Sequence, residues 1–491
     1  MARQRRGMGW RTIGLERDWK AGRCDNLMED HLTSSKTRDQ APLRLLLTAA
    51  GTLLLGAILL LLLVGCARYG GAEGLVKRIQ VELASQKPHP EMVPTPLPTP
   101  TRAAAETNGP SPTAAASTPL ETLVLSPSSP SAVESAEQTP DADLADSVPD
   151  EPTPTLIATP MAPSASPTAA GLPVALALEG LSHYWQTWNN CGPATLAMNL
   201  SYFGSTLSQE ETAAVLKPDD DDKNVSPREM AEFSRALGLR ALVQVNGNPA
   251  VLRRLLDAGV PVLIETWLEP EPNDGMGHYR LLTGFDDSRR QWIVYDSYVS
   301  EGVDPEKPYA GIRLSYDETE ALWRVFNRTY LAIFDDARAP AVLEILRDEV
   351  DAGTMWTRSR ATAQAEVERQ PDDAYAWFNL GSSLVSLGRY DEAASAFDRA
   401  RVIGLPWRML WYQFGPFEAY FETGRFAEVI ALADATIATV DNIEEIHFWK
   451  GKAYQATGDL QAARAALEQA IGYNPNFVGA VEALAELGTT D

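Results

Sequence analysis

Gln186-Thr187-Trp188-Asn189-Asn190-Cys191-Gly192-Pro193 is the stretch on which the reading of this 491-residue chain turns. Pro193 suits the first turn of a helix, where no N–H donor is needed, so the stretch reads as a loop running into a helix with Cys191 at its start. A thiol is nucleophilic as its thiolate, and the unpaired N–H groups and dipole of a helix N-terminus lower its pKa. Gly192 admits close approach of a substrate backbone. The Gln186 amide, about one turn upstream, can donate to a developing oxyanion together with the Cys191 N–H. A buried cysteine opening an ordinary helix would show the same Cys191, so the rest of the chain has to decide.

Three histidines lie in the part that reads as folded: His183, His278 and His447. His278 follows the loop EPNDGMG (271–277) and opens the apolar run HYRLLTGF (278–285). That position lets the ring face a cleft while the strand packs behind it. Asp296 stands 18 residues further on, after WIVY, and Asp286-Asp287-Ser288 reads as the turn between the two runs. Neighbouring antiparallel strands would set His278 and Asp296 side by side, where the carboxylate can fix the imidazole tautomer. His183 reads as a cleft-wall residue on the approach to the helix.

In this order, a Gln before a Cys-Gly-Pro helix start, then Gly-His-Tyr, then an Asp after an apolar strand, the residues resemble the C39-like peptidases, a papain-fold group. The resemblance covers roughly residues 174–335. It implies Cys191 as nucleophile, His278 as proton carrier, Asp296 as its orienter and Gln186 as an oxyanion donor, acting without cofactor or metal. No HExxH, zinc-spaced Cys/His cluster, Walker motif or GxSxG interrupts that reading. Asp219–Asp222 lacks the glycine and spaced ligands of a calcium loop and reads as a solvated charge run.

Around the stretch, helices are expected at Cys191–Tyr202, Ser208–Lys217 and Ser226–Leu237. The last two open with capping boxes, Ser208/Glu211 and Ser226/Glu229. Strands follow at 241–245, 262–268, 278–285, 292–298 and 329–334, with a helix near Asp317–Trp323. Helices first and antiparallel strands later spell an α+β domain over 173–336.

Residues 337–491 lose strand character. GRYDEAASAF from Gly388, GRFAEVIALA from Gly424 and GDLQAARAAL from Gly458 repeat at spacings of 36 and 34. These resemble tetratricopeptide repeats. Trp377, Leu380, Gly381, Tyr390, Ala393, Phe397 and Ala400 stand at that family's offsets, and Phe417 and Val429 depart from it in the middle repeat. The resemblance implies an all-α solenoid that docks a protein partner or substrate. Trp407, Trp411, Tyr412 and Phe414 lie in the link between repeats, and read equally as a recognition patch or a packing plug.

Ahead of the folded body, residues 1–44 are basic and 45–65 are apolar without a charge, the length of a membrane-crossing helix. The basic flank predicts a cytoplasmic N-terminus and a body outside. Leu63-Val64-Gly65-Cys66 resembles a lipobox, so a signal anchor and a lipoprotein with Cys66 lipidated both stand; either tethers the body to the membrane. Residues 67–172 read as a disordered linker, since 18 of the 34 prolines fall in 88–172 and no Phe, Tyr or Trp lies between Tyr69 and Tyr184. The first 65 residues carry +4 of the net charge of −24, leaving −28 on the rest, which repels nucleic acid. The sequence therefore reads as a membrane-anchored thiol peptidase. Two alternatives remain: a catalytically silent surface adaptor, and a transglutaminase-like acyl transferase.

Overall fold

Local capping chemistry sets the second and third helices of the computed structural model, which describes residues 90–98 and 171–488. The expected membrane run 45–65, Cys66 and the rest of the 67–172 segment up to residue 170 lie outside the described residues. Among the described residues no helix is long and apolar enough to cross a membrane. Helix α1 spans Cys191–Ser201, α2 Gln209–Leu216 and α3 Pro227–Ala236. Both expected capping boxes form, Ser208 with Glu211 and Ser226 with Glu229. From Gly192 to Leu200 every residue of α1 is buried, which marks a central helix enclosed on all sides. Leu196, with no exposed surface, would cost about 2–5 kcal/mol on truncation to alanine.

The strands are β1 (Ala175–Ala177), β2 (Arg240–Gln244), β3 (Val262–Leu268), β4 (Met276–Asp286), β5 (Gln291–Tyr295), β6 (Ile312–Ser315) and β7 (Tyr330–Phe334). They form one antiparallel sheet in the order β2-β7-β3-β4-β5-β6, with β1 also paired to β4. Strand alternation divides the core in two. Leu263, Tyr279, Leu281, Leu331 and Ile333 pack with α1 and α3. Val262, Ile264, Leu282, Val294, Ala332 and Phe334 pack with α4 (Pro249–Asp257) and the helix Ala339–Leu346. Helix α4 escapes the sequence reading although its start is legible: Asn248 accepts from the N–H groups of Ala250 and Val251, and Pro249 stands in the first turn. Strand β5 stops at Tyr295, short of the expected 298, because the Asp296 carboxylate takes the N–H groups of Tyr298 and Val299, both at 2.8 Å. Helix α5 (Tyr316–Trp323) lies where it is expected, between β6 and β7.

After α6 (Ala339–Leu346) the chain is helical: α7 (Ala352–Arg369), α8 (Ala374–Ser386), α9 (Tyr390–Ile403), α10 (Gly415–Glu422), α11 (Phe426–Ile437), α12 (Glu444–Thr457), α13 (Leu460–Tyr473) and α14 (Val478–Gly488). Gly381 is small because the Phe397 ring lies where its Cβ would stand, 2.6 Å away; Gly451 meets Leu467 in the same way. The two halves share one core: Trp267, Val325 and Phe326 belong to the cluster that holds Phe378, Phe397 and Tyr420. The aromatic link settles as packing. Trp407 Nε1 donates to Asn273 O at 3.1 Å, and Arg408 bonds Asp274 O and the Asp274 carboxylate while stacking on Trp407.

Candidate active site

Cys191 begins α1 because Asn190, with its non-helical φ of −117°, turns the chain into the helix without a side-chain cap of its own. The Asn190 amide instead donates to Gln209 Oε1 at 3.1 Å; Gln209 also accepts from Thr187 N at 2.9 Å and donates to Trp185 O at 2.9 Å. One buried glutamine of α2 thereby pins the loop that presents the thiol, and the sequence reading misses it. No local pattern announces a contact across 19 residues that include the whole of α1.

His278 sits near the start of β4, opposite Thr266 of β3. Its Nε2 lies 3.0 Å from Asp296 Oδ1, at the end of β5. Asp296 Oδ2 lies 3.0 Å from Arg280 Nε. His278, Asp296 and Arg280 are all nearly solvent-free, with side-chain exposures of 2%, 0% and 4%. Arg280 is the second residue missed from the sequence; its guanidinium also reaches Thr266 Oγ1.

Three pKa shifts follow from this packing. Burial would push the Cys191 thiol up, but the hydrogen bond and charge of His278, then the Tyr279 backbone and Lys217, outweigh it and hold the thiol below its ordinary value. Burial would push His278 down, but the charge and hydrogen bond of Asp296, with the bond to Cys191, raise it to about 9. Asp296 is disfavoured by burial, yet His278 and Arg280 hold it well below the usual carboxylate range. Both shifts move the pair toward thiolate beside imidazolium, with a carboxylate fixing the ring.

The structure therefore brings Cys191, His278 and Asp296 together. Gln186 is joined to the same region from behind. Its N–H donates to Ser297 O and its Oε1 accepts from Ser297 Oγ, both at 2.9 Å, which leaves Nε2 without a partner among the described residues. His183 stacks on Tyr309 at 3.5 Å and its Nε2 lies 2.8 Å from Asp296 O, so it buttresses the Asp296 main chain. Of the aromatic residues near the cleft, Trp267 and Tyr279 are buried, and Trp185 is 45% exposed. Among the described residues no group of His, Cys, Asp or Glu side chains is placed to hold a metal ion.

A lid narrows the thiol pocket, in which Cys191 stays partly exposed. The walls include Lys217, Asp222, Lys223, Asn224 and Val225 from the loop after α2, Glu265 and Tyr279 from the sheet, and Tyr412 from the repeat half. Gly277 has to lack a side chain, since a Cβ there would stand 2.9 Å from the Tyr412 ring. The remaining cavity is about 20 Å³, room for about one water. The expectation of a solvated 219–222 run fails at its end: Asp222 is 4% exposed and Asn224 5%. The cause is the repeat half, where Glu445 Oε1 accepts from Asn224 Nδ2 at 3.0 Å.

Residues 179–330 match the Peptidase_C39 like family, and residues 343–404 and 444–477 match tetratricopeptide repeat families. Comparison with curated proteins returns no match. Among solved structures, the chain is similar to a putative C39-like peptidase from Bacillus anthracis, at 17% identity and a TM-score of 0.26, over 33% of this chain and 98% of that one. It is also similar to MamA from Desulfovibrio magneticus RS-1, at 15% identity and a TM-score of 0.26, over 28% of this chain and 76% of that one. The family matches carry the assignment: the chain holds a C39-like peptidase domain followed by tetratricopeptide repeats.

Proposed function

We propose that this chain is a thiol peptidase, tethered to a membrane by residues 45–65 or a lipidated Cys66 with its folded body outside the cytoplasm, and that its repeats engage a protein substrate or partner. One observation carries the peptidase reading: His278 sits between the Cys191 thiol and the Asp296 carboxylate, with the thiol's pKa lowered and the imidazole's raised. In the reaction the Cys191 thiolate attacks the scissile carbonyl, and the electron pair moves onto its oxygen. The Cys191 N–H and Gln186 Nε2 are the donors assigned to that oxyanion. His278 gives its proton to the leaving amine as the C–N bond breaks. Water, deprotonated by His278, then releases the acid and restores the thiolate. The pocket leaves Cys191 partly exposed but is too narrow for a peptide chain unless the Asp222–Val225 lid or Tyr412 moves. A narrow pocket also suits the silent adaptor, so the two readings need an experiment.

The full chain and its Cys191→Ser variant, treated with iodoacetamide from pH 5 to 9 and mapped by mass spectrometry at Cys191, provide it. Alkylation persisting below pH 7 and lost in His278→Ala supports the peptidase. A rate that follows an ordinary thiol near pH 8.5, with no Cys191-dependent release from a peptide library, favours the adaptor. Product incorporating an added amine in place of water identifies an acyl transferase.

A further inference from the structure

Glu91-Met92-Val93-Pro94-Thr95-Pro96-Leu97-Pro98 belongs to the proline-rich segment, and its alternating prolines exclude helix and favour an extended polyproline strand. Such a strand has little conformational freedom to lose on docking. In the structure it is docked. The Val93 N–H donates to Leu405 O at 3.0 Å, and Met92 pairs with Pro406 in an antiparallel bridge. Val93 is 3% exposed, inside the main core of the repeats. Met92 lies over Gly404, whose missing Cβ would stand 2.5 Å from the thioether sulfur.

The decisive feature is a pair of buried charges beneath the strand. Arg401 of α9 and Glu428 of α11 face each other at 2.6 Å, with side chains 2% and 4% exposed. Arg401 Nη1 serves Glu428 Oε1 and the Tyr420 hydroxyl. Both residues also reach the strand's main chain: Arg401 Nε donates to Pro94 O at 2.8 Å, and Glu428 Oε2 accepts from the Leu97 N–H at 2.9 Å. Replacing a buried ion pair by apolar residues is often neutral or stabilising, so such a pair is weak evidence for stability alone. Here it forms a fork that reads one carbonyl and one N–H three residues apart on an extended chain. Val93 supplies the buried side chain and Pro96 is half-buried, while Met92 and Leu97 are 52% and 44% exposed.

We propose that α9 and α11 of the repeats form a binding site for an extended segment of the pattern Val-Pro-Thr-Pro-Leu, and that residues 91–97 of the same chain are its resident ligand. The interface is small, and covalent attachment keeps it filled through effective concentration. The docked strand divides the 106 residues of 67–172. It leaves 24 residues, 67–90, ahead of the strand, and the residues on either side of 99–170 are both held by the folded body. The segment therefore works as a clasp on the repeats, besides joining one end of the molecule to the other. The inference stands apart from the chemistry at Cys191.

The test is hydrogen exchange on the full chain, read at the amides of Val93 and Leu97 against those of 101–108. Exchange slower by roughly tenfold or more is expected. Val93→Asp, a change in the strand and not in the repeat helices, should erase the protection at Leu97 while circular dichroism shows the helices retained. A fluorescent peptide of the sequence 90–98 should then bind the Val93→Asp chain at least tenfold tighter than wild type, whose site is filled, and Arg401→Met in the Val93→Asp chain should abolish that binding. Equal exchange across the segment in wild type overturns the resident ligand. Failure of the peptide to bind the folded Val93→Asp chain overturns the site.

Discussion

Two clusters of buried charge flank the Cys191 thiol, and they obey opposite rules. In the first, signs alternate: Asp296 lies 3.0 Å from His278 on one side and 3.0 Å from Arg280 on the other. In the second, at the lid, like charges gather: Asp222, Glu229, Glu444 and Glu445. Burial pushes all four carboxyls up, and the charge of Glu444 adds to the shift of the other three. The cations nearby, Lys217 and Lys223, direct their ammonium groups to the carbonyls of Asn189, Asp220 and Asp221, and one Glu445 oxygen is buried with no partner. The first cluster stabilises charge and fixes geometry at any pH near neutral. The second is comfortable only when protons are shared within it.

The largest expected effect breaks the first cluster. Asp296→Asn removes the counter-charge of His278, so the imidazole falls toward its ordinary value and the thiol rises. Peptide hydrolysis should drop about a thousandfold, and alkylation of Cys191 at pH 6 should drop with it. A variant still alkylated at pH 6 like wild type would mean that Asp296 does not set the charge of the pair.

Next comes a matched pair of deletions with opposite signs. Arg280→Met leaves a carboxylate buried with one cation instead of two, and should cost about 3–5 kcal/mol in urea unfolding. Glu445→Gln removes one of four like charges and the same experiment at pH 8 should show a gain of about 1 kcal/mol. Two losses of similar size would erase the distinction between the clusters.

Much of this was legible in the sequence, and what was not has a common cause. The capping boxes of α2 and α3 and the β3 run are local patterns; the structure sets His278 beside Asp296 as neighbouring strands predict, and brings Cys191 to them as the resemblance implies. Gln209, Arg280, Glu265 and Tyr412 have no such signature, because each matters through a contact that only the tertiary fold creates. Tyr412 reaches Gly277 across 135 residues of chain. The end of the acidic run 219–222 misled for the same reason: composition says solvated, and a second domain arriving over Asp222 leaves it buried.

The lid also makes a prediction in pH. Its carboxyls have pKa values raised in the folded state, so the closed form gains stability fully below their ordinary range, about 4, and loses it as pH rises through the raised values. Closure is favoured in acid and weakened toward alkaline pH. After correction for thiolate fraction, alkylation of Cys191 should therefore rise several-fold between pH 5 and 8, and Glu445→Gln should flatten the rise. A corrected rate independent of pH in wild type would show that the lid does not open by ionisation.

Glu265 belongs to neither cluster and gives the smallest effect. It lines the thiol pocket from β3, and burial, with the charge of Cys191, raises it to about 8. Below that pH it is neutral and leaves the thiolate undisturbed. Above it, a second negative charge appears beside the sulfur and weakens the thiolate–imidazolium pair before His278 itself deprotonates near 9. The alkaline limb of hydrolysis in wild type should thus bend near pH 8, and Glu265→Gln should move the bend toward 9 with less than a twofold change at pH 7. An unmoved limb would mean that the charge is screened, and that the pocket is wetter than its walls suggest.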